Sequence, residues 1–121
     1  MKFQIKKKYG QHFLNKKKII DKIIDIQKIK DNNIIEIGPG FGSLTNAIIE
    51  KKPSSLLIIE KDLSLKGHLE NIKKNKFKKL DLLFEDALNL NLKEISNSEK
   101  VFLIANLPYN IATTLIINWI K

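Results

Sequence analysis

Four strand-length runs rich in Ile, Leu and Val constrain this chain most: Ile34–Ile37, Leu56–Ile59, Leu80–Phe84 and Val101–Ala105. Stretches of helical pattern separate the first three. Near-continuous apolar strands alternating with helices require a parallel sheet covered on both faces. Right-handed crossovers make that an open, doubly wound α/β sheet. Lys16 to Lys28 sets Ile19, Ile20, Ile23 and Ile24 at helical spacing. Ser43 is placed to cap a helix carrying Leu44, Ala47, Ile48 and Ile49, with Pro53 beyond its end. Asp62 to about Asn71 reads as a helix. Thr113 to Lys121 reads as a last helix, with Leu115, Ile116, Ile117, Trp119 and Ile120 turned to the core. On that reading Val101–Ala105 is an unpaired sheet edge, prone to aggregation.

Ligands in doubly wound sheets bind at the carboxyl ends of the strands, and each polar motif here stands at such an end. Gly38-Pro39-Gly40-Phe41-Gly42 follows the first run. Glycine permits positive φ and close approach to the main chain. A plain turn would use the same residues. With a strand before it, a helix after it and Glu36 ahead, the loop suits a nucleoside cofactor, although its spacing is not that of the dinucleotide fingerprint. Glu60 ends the second run, 22 residues after Gly38 (60 − 38). It can accept hydrogen bonds from ribose hydroxyls, or be a surface carboxylate beside Lys61. Asp86 follows the third run. It can accept from an adenine amino group, or cap a helix. Asn106-Leu107-Pro108-Tyr109 follows the fourth. An amide acceptor and an aromatic ring suit a base held out of its stack; a turn capped by Asn110 is the alternative.

The formal net charge is +9. Residues 1–30 hold ten Lys against Asp21 and Asp25, leaving +8; residues 31–121 hold twelve Lys against eleven acids, leaving +1. The basicity thus belongs to one end of the sequence and suits a polyanion, or is a solvated face. The chain has no Cys and only two His, His12 and His68, which excludes disulfides, thiolate metal sites and a multi-His cluster. His68, in a Lys/Glu-rich helix, reads as plain surface. No apolar run reaches membrane-spanning length, and the start, MKFQIKKKYGQHFL, lacks a secretory signal. A soluble cytoplasmic protein with no membrane contact is the expectation.

Taken together, Tyr9–Leu14 (YGQHFL), Glu36–Thr45 (EIGPGFGSLT), Glu60-Lys61-Asp62, Glu85-Asp86-Ala87 and Asn106–Thr113 (NLPYNIAT) resemble the rRNA adenine N6-dimethyltransferase family in order and spacing. The pattern is more similar to the small-subunit rRNA enzymes than to the macrolide-resistance enzymes that act on 23S rRNA. The resemblance implies a Rossmann-like class I methyltransferase fold, broken off after the fourth strand and the helix that follows it. It implies S-adenosylmethionine as cofactor, bound by His12, Leu14, Gly38, Glu60, Asp86 and Asn106. Asn106, Pro108 and Tyr109 would carry catalysis, with no metal. It divides the chain into a basic arm (1–15) over the cofactor site and a partial methyltransferase domain (16–121). It also carries the expectation that the helical carboxyl-terminal domain that docks RNA in longer members is missing from this chain. The implied partner is rRNA in the small ribosomal subunit or its precursor, with the full-length protein a monomer. Thr114 stands where members often have Pro. The rivals are a methyltransferase acting on another nucleic-acid amine, a non-catalytic remnant that binds RNA or cofactor, and, more distantly, a nucleotide oxidoreductase.

Overall fold

A computed structural model describes residues 4–6, 26–40, 42–96, 100–108 and 113–120. Strand β1 (Gln4–Lys6) is followed by α1 (Ile26–Ile29), β2 (Asn33–Ile37), α2 (Ser43–Glu50), β3 (Ser55–Ile59), α3 (Lys66–Asn75), β4 (Leu80–Leu83), α4 (Leu92–Ile95), β5 (Val101–Pro108) and β6 (Thr113–Ile120). Single 3₁₀ turns at Leu63–Leu65 and Ala87–Asn89 follow β3 and β4. The sheet order is β1-β6-β5-β2-β3-β4. Strands β5, β2, β3 and β4 are mutually parallel, and β6 runs antiparallel to both β5 and β1.

The parallel strands lack polar alternation because both faces are buried. On one face Ile34, Leu56, Ile58, Leu80, Phe102 and Ile104 pack with Leu44 and Ile48 of α2 and Leu69 and Ile72 of α3. On the other, Ile35, Ile37, Ile59, Val101, Leu103 and Ala105 pack with Leu92 of α4. Fully burying each such side chain is worth about 1.5–3 kcal/mol. Glu36, in the middle of this apolar set, is wholly buried.

Three expectations are corrected. Thr113–Ile120 is a strand, not a helix. Its Thr and Ile are β-branched and suit a pleated surface, and β5 offers it an unpaired ladder. Consequently Val101–Ala105 is not a sheet edge: it lies between β2 and β6, and pairing with β6 carries β5 on to Pro108. Ser43 is the first helical residue rather than the cap; Gly42 occupies the cap position at φ 94°. One helix went unread. Asn91 Oδ1 accepts from Lys93 N at 3.1 Å and Glu94 N at 3.3 Å, starting α4. Asn91-x-x-Glu94 between apolar residues was the available signal.

Candidate functional site

The register of the four parallel strands sets the site. Ala105, Ile37, Ile59 and Leu83 are neighbours across β5, β2, β3 and β4. One residue further along, Asn106, Gly38 and Glu60 therefore stand side by side, with strands about 4.8 Å apart. The chain runs outward from β2 to β3 and β4, then returns to place β5 on the other side of β2. The gap between β2 and β5 is the switch point where such sheets open a crevice; Gly38 and Asn106 flank it.

Between β2 and α2 the chain turns through three left-handed glycines, Gly38 (φ 71°), Gly40 (φ 57°) and Gly42 (φ 94°). Gly38 N donates to Ile59 O at 3.0 Å, tying the loop to the end of β3. Gly42 N donates to Pro39 O at 3.0 Å, closing the turn. The glycines differ in what they allow. A Cβ on Gly42 would come within 2.8 Å of Ile72 Cδ1, so a side chain there would displace the end of Ile72 on α3. Among the described residues a Cβ on Gly40 would meet nothing within 4 Å. There the backbone faces open space, as a ligand cradle requires.

Glu36 lies beneath this loop. Thr45 Oγ1, from the first turn of α2, donates to Glu36 Oε1 at 2.6 Å, and the other oxygen, Oε2, is buried with no partner among the described residues. Burial pushes the Glu36 carboxyl up to about 7; the Thr45 hydrogen bond opposes the rise and the Glu60 carboxylate adds to it. An unsatisfied buried oxygen beside the glycine cradle is a ready acceptor for a cationic or N–H group. Glu36 figured in the sequence only as the residue ahead of the loop. The available signal was a single acid inside a buried parallel strand.

Glu60 is 9% exposed at the end of β3. Its backbone N donates to Leu83 O at 3.0 Å, and its Oε2 accepts from Asp62 N at 2.9 Å. It is thus a held carboxylate, not the surface residue of the alternative reading. Asp62 caps the next turn, and its hydrogen bonds from the Ser64 hydroxyl and backbone N–H hold its carboxyl below the ordinary range. Asp86, half-buried, repeats that arrangement after β4: its Oδ1 accepts from Leu88 N at 3.0 Å. It therefore does cap a turn, and the turn fixes it two residues beyond the row of strand ends. His68, read as plain surface, is exposed on α3, yet its Nε2 would lie 3.7 Å from a Cβ at Gly42. Asn106 and Pro108 are placed through the β5 backbone, opposite Leu115 and Thr113 of β6. His12, Leu14 and Tyr109 lie outside the described residues. Among the described residues no His, Asp and Glu cluster could hold a metal ion, and no helix is long and apolar enough to cross a membrane.

The family model described as ribosomal RNA adenine dimethylase matches residues 2–121. A ribosomal RNA small subunit methyltransferase A of Ehrlichia chaffeensis is 43% identical over 119 residues, covering 98% of this chain and 45% of its own length. The protein of that name from Sulfurihydrogenibium is 44% identical over 119 residues, covering 97% and 46%. The chain thus spans under half the length of these relatives. Among solved structures, a dimethyladenosine transferase of Plasmodium falciparum superposes with a TM-score of 0.60 at 17% identity, covering 90% of this chain and 63% of that one. The 23S rRNA methyltransferase ErmE does so with 0.55 at 18%, covering 79% and 48%. These two likenesses support the methyltransferase fold.

Proposed function

Since the chain belongs to the ribosomal RNA adenine dimethylase family, we propose that it supplies the cofactor-binding and base-positioning face of an S-adenosylmethionine-dependent enzyme that dimethylates adenine N6 in small-subunit rRNA. The observation that carries the reading is the row Asn106, Gly38 and Glu60 at adjacent strand ends, with Asp86 fixed just beyond it. The residues fit the cofactor on their own chemistry. Among the described residues the Gly40 backbone faces open space, Glu60 is a fixed acceptor, and Glu36 Oε2 is a buried acceptor without a partner.

On this reading Glu60 accepts from the ribose hydroxyls and Asp86 from the adenine amino group of the cofactor. Gly38 lets the cofactor lie against the backbone, and His12 and Leu14 cover it from the arm. S-adenosylmethionine supplies an activated methyl group on a positively charged sulfur. The chain's own task is alignment. The lone pair of an exocyclic adenine amine is delocalised into the ring and is a weak nucleophile. An acceptor at Asn106, with a main-chain carbonyl near Pro108, turns the amine out of the ring plane and localises that pair; Tyr109 stacks on the base. Holding the reactants in line is an entropic contribution that can reach about 7–11 kcal/mol. The partner is rRNA in the small ribosomal subunit or its precursor, and the enzyme works as a cytoplasmic monomer.

The test is methyl transfer to small ribosomal subunits that lack the modification, with nucleosides of the product read by mass spectrometry. Dimethyladenosine is expected. Methyl groups on another nucleoside, or cofactor binding with no transfer to any RNA, would replace this reading with one of its rivals.

A further inference from the structure

The fold sorts charge in a way the linear sequence hides. The turns at the carboxyl ends of β3 and β4 carry Glu60, Asp62, Glu85 and Asp86 against Lys61. The opposite, amino-terminal end of the sheet is closed by segments 28–32, 51–54 and 73–79. These hold two, two and five Lys, nine in all, against Asp31, with Glu50 and Asp81 bordering them. The segments form one rim. Asp31 N donates to Lys52 O at 3.0 Å, Ser54 N to Asn32 O at 2.9 Å, and Leu56 N to Lys79 O at 3.3 Å. Asp31 and Lys52 both take left-handed φ, 60° and 59°, a conformation that non-glycine residues adopt at a cost. Three of the lysines are engaged locally, Lys28 over the Phe102 ring at 5.5 Å from its centroid, Lys73 with Asp81 at 3.8 Å and Lys76 with Asn46 at 3.0 Å. Lys30, Lys52, Lys74, Lys78 and Lys79 are exposed.

We propose that this basic rim, at the end of the sheet opposite the candidate site, is a second contact surface for the phosphate backbone of the RNA substrate; the inference rests on the proposed function. Like charge gathered on one rim, with a cluster of acids at the far end, orients a polyanion. Across β2, β3 and β4 the rim spans about 10 Å, over which duplex nucleic acid presents about six charges. Phe77, the aromatic residue among these lysines, is half-buried against the core. The rim therefore offers charge without a stacking face, which suits phosphates rather than bases. The five residues of β3 separate rim and site by about 16 Å. A structured RNA can reach both; a short strand carrying only the target base cannot.

The test is the salt dependence of binding to small-subunit rRNA, followed by fluorescence anisotropy. In the chain carrying Lys74→Gln, Lys78→Gln and Lys79→Gln, the slope of log affinity against log salt should fall by about 2–3. Affinity for S-adenosylmethionine should be unchanged, which also shows that the variant folds. The corresponding Lys→Arg triple should keep the slope, as should neutralising Lys66 and Lys93, which lie off the rim. If the Gln triple keeps the full slope while the unaltered chain binds RNA, the rim is a solvated face and this inference fails alone. If the unaltered chain binds no RNA, the proposed function fails with it. Binding to phosphatidylserine–phosphatidylcholine vesicles in place of RNA would overturn the choice of occupant.

Discussion

Thr45 and Glu36 are joined by a 2.6 Å hydrogen bond, and neither side chain is exposed. The bond ties β2 to the first turn of α2 across the glycine loop, so it clamps both sides of the cradle. It leaves a carboxyl whose folded form titrates near 7, because burial disfavours the charge. Unfolded, the group loses its proton near the ordinary value of 4.5. Between those values the folded chain holds a proton that the unfolded chain has lost. Raising pH through that window therefore favours unfolding, by up to about 3 kcal/mol. Chemical denaturation should show this loss between about pH 5 and about pH 8. Glu36→Gln, which keeps an acceptor for Thr45, should flatten the dependence and be the more stable protein at the upper end. An equally steep dependence in the variant would mean that another group is responsible.

Glu60→Ala should weaken S-adenosylmethionine binding. One Glu60 oxygen is already engaged by the Asp62 amide, so the substitution removes a carboxylate whose aim is set by the backbone. Losing one charge-assisted hydrogen bond costs about 1.5–3 kcal/mol, which calorimetry would read as roughly a 10- to 150-fold loss of affinity. Unchanged affinity in a folded variant would remove Glu60 from the site.

Gly42→Ala should destabilise the fold. The added methyl takes a φ of 94° and meets Ile72 Cδ1 at 2.8 Å, so backbone strain opposes it and the end of the Ile72 side chain must shift. A loss of about 1–3 kcal/mol is expected by urea denaturation. Gly40→Ala shares the left-handed φ but meets no neighbour among the described residues. It should cost the smaller strain and show its effect mainly in cofactor affinity. Equal loss of stability in the two variants would contradict this division.

Asn106→Ala should abolish methyl transfer while cofactor affinity stays nearly intact, because Asn106 stands on the β5 side of the switch point and Glu60 on the β3 side. The readouts are dimethyladenosine by mass spectrometry and binding by calorimetry. Retained dimethylation would leave the base-positioning role without support.

The parallel core was legible because burial on both faces leaves a strand few polar positions, and Ile34-Ile35 and Leu56–Ile59 have none. The row of strand-end residues followed from the same runs. Thr113–Ile120 was not legible. An apolar run of that length has no periodicity that separates a strand from a buried helix, and β5 supplied the deciding partner. Glu36 was legible as an anomaly but not as a mechanism, since its partner Thr45 lies nine residues away on another element. The basic rim was hidden by arithmetic. A net +1 over residues 31–121 averages the seven rim lysines of that stretch with acids such as Glu60, Asp62, Glu85 and Asp86 at the far end of the sheet.

The pairing of β1 with β6 joins Gln4 to Ile117, a separation of 113 residues (117 − 4), and Lys6 to Leu115. Contacts so distant in sequence are slow to form, because a long loop must close before they repay the entropy. During synthesis the first strand emerges long before its partner exists, while β2, β3 and β4 can pair as soon as each is complete. Folding should therefore have a late step in which β6 settles on β5 and only then captures the beginning of the chain.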